Sequence, residues 1–139
     1  MNWITANIKW IMLVAGSLTC TMIFAVIAPQ AALQSSFGES LEGPLAEIIV
    51  RNWGALITLV GAMLIYGSFT PPSRPLILII AASSKLTFIG LVLSFGQQYL
   101  SPNLIITLAV DAVMVSLFTG YLLAVRTSEG THTNTNNFK

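Results

Sequence analysis

Charged residues are scarce in this chain. Only 8% of its 139 residues are Asp, Glu, Lys or Arg, whereas 55% are hydrophobic. A soluble domain typically carries about 25% charged residues, so this chain has too few of them to cover a surface that faces water. The net charge of +1 also provides no basic patch for nucleic acid. The composition therefore predicts a protein whose partner is the lipid bilayer.

Residues for metal and redox chemistry are equally scarce. Cys20 is the one cysteine and lies in an apolar run, and His132 is the one histidine and lies near the polar C-terminus. A single cysteine cannot form a disulfide or a cysteine metal site within one chain. The sequence also lacks a Gly-rich phosphate loop, a His metal spacing and a Ser–His or Cys–His set. It favours a non-enzymatic protein with no catalytic residue, metal or cofactor.

Long hydrophobic runs are what the chain does contain. We predict membrane-spanning helices over residues 10–28, 45–69, 76–96 and 103–125, each long enough to cross a hydrocarbon core of about 30 Å. The first run is longer than the core of a typical signal peptide and has no small-residue cleavage site, so we interpret it as an uncleaved helix. The predicted fold is an all-α integral membrane protein with a four-transmembrane-helix bundle, in one domain over residues 1–125.

Two polar segments lie outside these spans. In the 29–44 connection, Pro29 favours the start of a short interfacial helix, and Gly38 is suited to end it. This helix is either a lid over a site or only a connection, and the connection is favoured. Residues 126–139 are rich in Thr and Asn and have no apolar period. We expect them to form a flexible tail without regular structure unless a partner holds it.

The Lys/Arg bias predicts the orientation. With four spans, both termini and the loop between the second and third spans lie on the same side of the membrane. That side carries Lys9, Arg74, Arg126 and Lys139, whereas the opposite side carries acidic residues in the 29–44 connection and no Lys or Arg. The positive-inside rule then predicts cytoplasmic termini, which we expect to be those of a bacterial inner-membrane protein.

Four charged residues fall inside the predicted spans, Glu47, Arg51, Lys85 and Asp111, and the polar Asn52 follows Arg51. At about 1.5 Å per residue, the two cations and Asp111 lie roughly 9 to 16 Å below the outer ends of their helices. All four charges can therefore meet in the outer half of one bundle, where they sum to zero. The pairs expected are Glu47 with Arg51, spaced i, i+4, and Lys85 with Asp111 on the next helix.

These charges have three possible roles. Charged groups in membrane helices are costly unless they are paired and face protein or water. The first possible role of the charges in this chain is to form buried pairs that fix helix packing. The second is a binding site for a small molecule, an ion or a proton, and the third is a contact with another protein. The sequence favours buried pairs.

Small residues predict helix contacts, because they let backbones approach closely in lipid. One stripe on the second span continues the charged face, and another lies on the fourth span. The third span has two opposite candidate faces, one with Lys85 and one with small polar residues, and the sequence does not select between them. The predicted packing residues are Gly54, Thr58 and Gly61 on the second span and Ala112, Ser116 and Gly120 on the fourth.

Residues 24–67 resemble a group of small bacterial four-helix membrane proteins with a DoxX-like layout. In these proteins a loop that contains Ala-Pro, a Leu and Phe-Gly precedes the second helix. That helix contains an Arg, a following Gly-Ala and a later Gly. DoxX-like proteins are linked to membrane oxidoreductase or thiol-stress systems, but the group has no settled activity. The resemblance therefore predicts the fold and not the function. The matching residues are Pro29, Phe37, Gly38, Arg51, Gly54, Ala55 and Gly61.

The function expected from the sequence is that of a small non-enzymatic membrane protein. Its favoured role is assembly, as a homo-oligomer or within a larger membrane complex. The alternative is a protein that binds or transports a small molecule, an ion or a proton through Arg51, Lys85 and Asp111. A third possibility is an accessory subunit of a membrane redox enzyme, because such subunits need carry no chemistry of their own.

Overall fold

The computed structural model describes residues 2–134, with side chains for residues 3–130, and those residues are almost entirely helical and contain no strand. Four stretches are long and apolar enough to cross a membrane: Trp3–Ile27, Pro44–Phe69, Pro71–Phe95 and Pro102–Gly130. The predicted fold class is thereby confirmed, and the chain is a multi-pass membrane protein. Its helices are α1 (Asn2–Cys20), α2 (Ile23–Ile27), α3 (Pro29–Phe37), α4 (Pro44–Phe69), α5 (Arg74–Phe95) and α6 (Pro102–Asn134), with 3-10 turns at Pro71–Ser73 and Gln97–Tyr99.

Proline and glycine set several of the helix boundaries. Pro29 and Pro44 lie in the first turns of α3 and α4, where the missing backbone N–H has no intrahelical partner in any case. Gly38 ends α3 with a φ of 75°, a conformation that only glycine adopts at little cost. The predicted short helix after Pro29 is confirmed.

The first span differs from the predicted run in two ways. It begins at Asn2 rather than at residue 10, and it is interrupted between α1 and α2. At the interruption, the backbone amides of Thr21 and Met22 bond the carbonyls of Leu18 and Thr19, each at 3.2 Å. The hydroxyl of Thr21 also donates to Leu18 O at 2.6 Å, and such back-bonding tends to bend helices.

The last helix continues past the predicted span. α6 extends to Asn134, so the expectation of no regular structure from Arg126 was wrong for residues 126–134. The hydroxyl of Ser128 donates to Ala124 O at 3.0 Å, which joins the polar segment to the apolar helix before it. No proline interrupts this segment, so the helix propagates from the preceding turns. Residues 135–139, the rest of the predicted tail and the position of Lys139, lie outside the described residues.

Two packed clusters hold the bundle together. The larger lies toward the end that carries the loop between α4 and α5 and the start of α1, which we call the termini end. The smaller lies beneath α3, at the opposite end, which we call the α3 end. Lipid-facing side chains such as Leu59 are 60% exposed, as expected for a protein whose outer surface contacts lipid. The larger cluster comprises Ile8, Met12, Ala15, Leu64, Ile77, Leu78, Ala81, Ala82, Met114 and Phe118, and the smaller comprises Ala25, Ala32, Leu33 and Val50.

Glycines of α4 create close contacts with both helices of the first span, α1 and α2. A Cβ atom at Gly61 would lie 2.7 Å from Cys20 Sγ and 2.8 Å from Gly16 O, and one at Gly54 would lie 2.7 Å from the Cβ of Ala25. The backbones therefore approach more closely than any larger residue permits. Thr58, on the same stripe, accepts a weak hydrogen bond from Cys20 Sγ to its carbonyl at 3.7 Å.

Candidate functional site

An ion pair between α5 and α6 lies near the centre of the bundle. Lys85 Nζ lies 2.5 Å from Asp111 Oδ1, and the two side chains are only 10% and 13% exposed. Both residues belong to helices that span the membrane, where an unpaired charge would be costly. The close contact neutralises the two charges, so the pair carries no net charge.

This pair retains hydrogen-bonding capacity. An ammonium group has three N–H donors, and a carboxylate has two acceptor oxygens. Within the described part of the chain, each of the two side chains makes only the contact with the other. Two donors of Lys85 and the second oxygen of Asp111 are therefore available to another molecule.

The pair lines a central cavity of about 270 Å³ between the spans. Ligand pockets commonly measure about 300–1,000 Å³, so this cavity suits a small molecule or one polar group of a larger one. The cavity lies between the two packed clusters, which explains why it is not filled by either. Its other lining residues are Leu18, Thr19, Thr21, Met22, Ser36, Trp53, Ile57, Val60, Ser84, Phe88, Leu104, Ile106, Thr107, Val110 and Met114.

Aromatic rings surround the α3 end of the cavity. The ring centroids of Phe37 and Trp53 are 6.2 Å apart, those of Phe37 and Tyr99 are 6.3 Å apart, and those of Trp53 and Phe88 are 6.5 Å apart. Such separations fall in the range of favourable ring contacts. The ring contacts link α3, α4, α5 and the Gln97–Tyr99 turn, and Trp53 and Phe88 of this set line the cavity.

Helix α3 covers this end of the bundle. Ser36 lines the cavity, and its carbonyl accepts a hydrogen bond from Ser101 Oγ at 3.2 Å. Asn103 Nδ2 donates to Ser35 O at 3.1 Å. α3 is therefore both the connection between two spans and the cover of the cavity, the two alternatives that the sequence left open.

The second charged pair lies elsewhere. Arg51 Nη2 is 3.9 Å from Glu47 Oε2, and both side chains are nearly half exposed. Neither residue lines the central cavity, nor does the exposed Asn52. The single network of all the charges that the sequence suggested is therefore not formed, and the structure has two separate pairs.

Arg51 has a backbone partner that explains its position. Its Nη1 donates to the carbonyl of Val26, which lies in the last turn of α2. Helix α2 ends at Ile27 and Pro29 has no backbone N–H, so carbonyls in this turn lack the usual helical donors. A guanidinium group at a helix C-terminus supplies such a donor and interacts favourably with the helix dipole.

The structure selects one face of α5. Lys85 points inward with Ala81 and Ala82, whereas Ser83 and Thr87 are exposed and a Cβ at Gly90 would have no atom within 4 Å. The small polar face of α5 is therefore on the outside of the chain.

The predicted packing stripe of α6 is also largely outside. Ala112 and Ser116 are exposed, so they do not pack against another helix of this chain, and a helix contact through them stays a prediction. Gly120 alone of the three meets a neighbour, the Cδ1 atom of Ile4, at 3.2 Å from its ideal Cβ. The buried stripe of α6 is instead the one with Asp111, Met114 and Phe118.

The apolar wall that α4 contributes to the cavity was not predicted from the sequence. Trp53, Ile57 and Val60 are spaced i, i+4, i+7 on α4, and Phe88 follows Lys85 by three residues. These spacings put each set on one helix face. The same spacing puts Phe88 on the predicted face of Lys85, and Thr107 and Met114 on the predicted face of Asp111.

Comparisons with known proteins find no match for this chain among protein-family models, curated proteins or solved structures. Among the residues whose side chains are described, no group of three or more His, Cys, Asp or Glu is placed to hold a metal ion. The candidate site is therefore defined by its own geometry.

Proposed function

We propose that this membrane protein binds a small, uncharged, hydrogen-bonding molecule in its central cavity. The observation that carries this proposal is the Lys85–Asp111 pair, which is buried, neutral as a unit and part of the cavity wall. A pair that served only to fix helix packing would need no cavity beside it. Intramembrane ionisable residues commonly mark ligand or ion pathways.

The charge balance of the cavity selects the ligand. An anion near Lys85 would be repelled by Asp111, and a cation near Asp111 would be repelled by Lys85. A buried charge without a compensating partner is strongly unfavourable. An uncharged molecule with both a donor and an acceptor, such as an alcohol, satisfies both residues.

Matched short-chain probes test this proposal. We expect hexane-1,2-diol to raise the melting temperature of the detergent-solubilised protein, because a ligand that binds only the folded state stabilises it. Hexanoate and hexylammonium, with the same chain length, should have a smaller effect. The double variant Lys85→Met/Asp111→Leu is the control and should lose the preference for the diol. Equal effects of the three probes on the wild-type protein, or an unchanged preference in the double variant, would contradict the proposal.

Assembly is the second candidate function, in a homo-oligomer or a larger membrane complex such as a membrane redox enzyme. The exposed small residues Ser83, Thr87 and Gly90 on α5 favour it, because small residues let helices of neighbouring chains approach closely in lipid. The discriminating variant is Gly90→Leu, which enlarges this face without touching the cavity. Assembly predicts a smaller particle for this variant in mild detergent, whereas an unchanged particle mass would contradict it.

We also propose cytoplasmic termini in a bacterial inner membrane. The termini end carries Lys9, Arg74 and Arg126. The loops at the α3 end carry Glu39 and Glu42 and no Lys or Arg, and Arg51 lies within α4. This distribution supports the proposal through the positive-inside rule. The DoxX-like layout stays a prediction from residues 24–67.

A further inference from the structure

An apolar groove lies between α1 and α6, beside the central cavity. Its volume is about 580 Å³. Trp10 and Val14 of α1 and Val113 and Leu117 of α6 form part of its walls. Apart from Asn7 near one end, its lining residues are apolar or aromatic. The groove therefore suits a hydrocarbon chain and offers nothing to a polar group along most of its length.

The groove and the cavity are adjacent. Leu18, Val110 and Met114 line both spaces, so these three side chains form the boundary between them. Asp111 follows Val110 directly in the chain and faces the cavity. A molecule with its polar group at Asp111 and Lys85 can thus place an attached chain past these residues into the groove.

The length of the groove matches one hydrocarbon chain. Its lining extends along α1 from Trp3 to Leu18 and along α6 from Ala109 to Leu117, which at about 1.5 Å per residue is roughly 22 Å and 12 Å. One leaflet contributes about half of a hydrocarbon core that is about 30 Å thick. The groove is therefore long enough for a complete acyl chain.

We propose that the ligand is a single-chain amphiphile with an uncharged, hydroxyl-bearing head, taken up sideways from the lipid. This inference rests on the proposed function, because the head occupies the cavity. Moving a chain from lipid into the groove gains no hydrophobic free energy, since lipid tails are as apolar as the groove. The groove instead keeps the chain in apolar surroundings while the head leaves the membrane surface for the Lys85–Asp111 pair.

Two photoreactive monoacylglycerols test the inference in phosphatidylcholine vesicles that contain the full chain. One carries a diazirine in its glycerol head, and the other carries it at the end of its acyl chain. We expect the head probe to label the cavity-lining segments around Trp53, Phe88 and Thr107. The chain probe should label residues 10–18 of α1 and 109–117 of α6 more strongly than the lipid-exposed face of α4.

Matched tryptophan variants locate the chain. Val113 is 59% exposed and lines only the groove, whereas Leu56 is 55% exposed and lines neither space. Val113→Trp should cause loss of the chain-probe label on α1 and α6, because the larger ring fills the groove. Leu56→Trp should leave the labelling unchanged.

The two probes distinguish the two proposals. Head labelling in the cavity with chain labelling spread evenly over lipid-exposed faces would overturn the groove inference and retain the proposed function. Groove labelling that persists unchanged in Lys85→Met/Asp111→Leu would mean that the groove holds any lipid chain, which overturns the inference. Absence of head labelling in the cavity would overturn both proposals for this class of ligand.

Discussion

At the scale of single residues, the Lys85–Asp111 pair has the largest energetic consequence. Each side chain neutralises the other at the centre of a helical bundle that spans the membrane. Removing one partner leaves an uncompensated buried charge, whereas replacing both with apolar residues removes the charge and its desolvation cost together. Stability and binding can therefore be separated by comparing single and double variants.

Lys85→Met and Asp111→Leu should each lower the free energy of unfolding by about 3–5 kcal/mol, the typical cost of breaking a buried pair. The double variant should recover much of this loss. Unfolding in detergent, followed by circular dichroism for all four proteins, measures the effect. Single variants as stable as the wild type would mean that the two residues are not energetic partners.

Gly61 lies in a tight contact between helices, whereas Gly90 lies on an open surface of α5. A Cβ at Gly61 would lie 2.8 Å from the backbone N of Cys20, whereas one at Gly90 would meet no atom within 4 Å. Gly61→Ala should therefore destabilise the protein by about 1–3 kcal/mol through overpacking against backbone. Gly90→Ala, the matched control, should be neutral or stabilise it by up to about 1 kcal/mol through helix propensity. Equal unfolding midpoints of the two variants would argue against a tight contact between α1 and α4.

At the scale of elements, the interrupted first span distinguishes this bundle from four plain helices. Hydropathy predicted the span but not the break at Thr21 and Met22, because the residues on both sides are equally apolar. The break depends on local hydroxyl-to-carbonyl hydrogen bonds. The corner between α2 and α3 instead involves a distant residue, Arg51, which donates to the carbonyl of Val26 in the last turn of α2. Tertiary contacts of this kind leave no periodic signal in the sequence.

Arg51 should hold the corner between α2 and α3 in place. Arg51→Met removes the donor to Val26 O and should speed amide hydrogen exchange in residues 24–38, because the carbonyl loses its partner and the corner opens more often. Asn52→Ala is the matched control on the next residue, which is exposed. Exchange as slow in Arg51→Met as in the control would show that the corner does not depend on this contact.

Hydropathy and residue spacing could predict the elements and one part of the site. The proline and glycine positions predicted α3, and the complementary charges of Lys85 and Asp111 predicted their pairing, which the structure contains. The i, i+4 spacing also predicted the contact between Glu47 and Arg51, but helical depth alone placed both pairs in one network in the same half of the bundle. The rotation of each helix and the bend of the first span decide which charges meet, and both depend on packing between helices.

At the scale of the whole molecule, the asymmetry between the two ends predicts the orientation. Single cysteines in place of Ser40 and Pro72, both exposed, can be introduced on a Cys20→Ala background. A membrane-impermeant thiol reagent should label Ser40→Cys in intact cells and label Pro72→Cys only after permeabilisation. The reverse pattern would place the termini outside.

The proposed function requires that the central cavity is a binding site and not a packing defect. Its walls come from every long helix, and α3 covers one end. A bundle held by a structural pair alone would gain dispersion energy by closing around Lys85 and Asp111, since protein interiors are normally close-packed. We therefore expect a molecule to occupy the cavity when the protein lies in its own membrane.

The most direct measurement is an experimental density map of the protein extracted with its native lipids. We predict non-protein density within hydrogen-bonding distance of Lys85 Nζ or Asp111. This density should continue past Leu18 and Met114 into the groove between α1 and α6. The same map of Lys85→Met/Asp111→Leu should lack this density in the cavity. A wild-type map in which Trp53, Phe88 and Met114 close against one another, with no space beside the pair, would contradict the account.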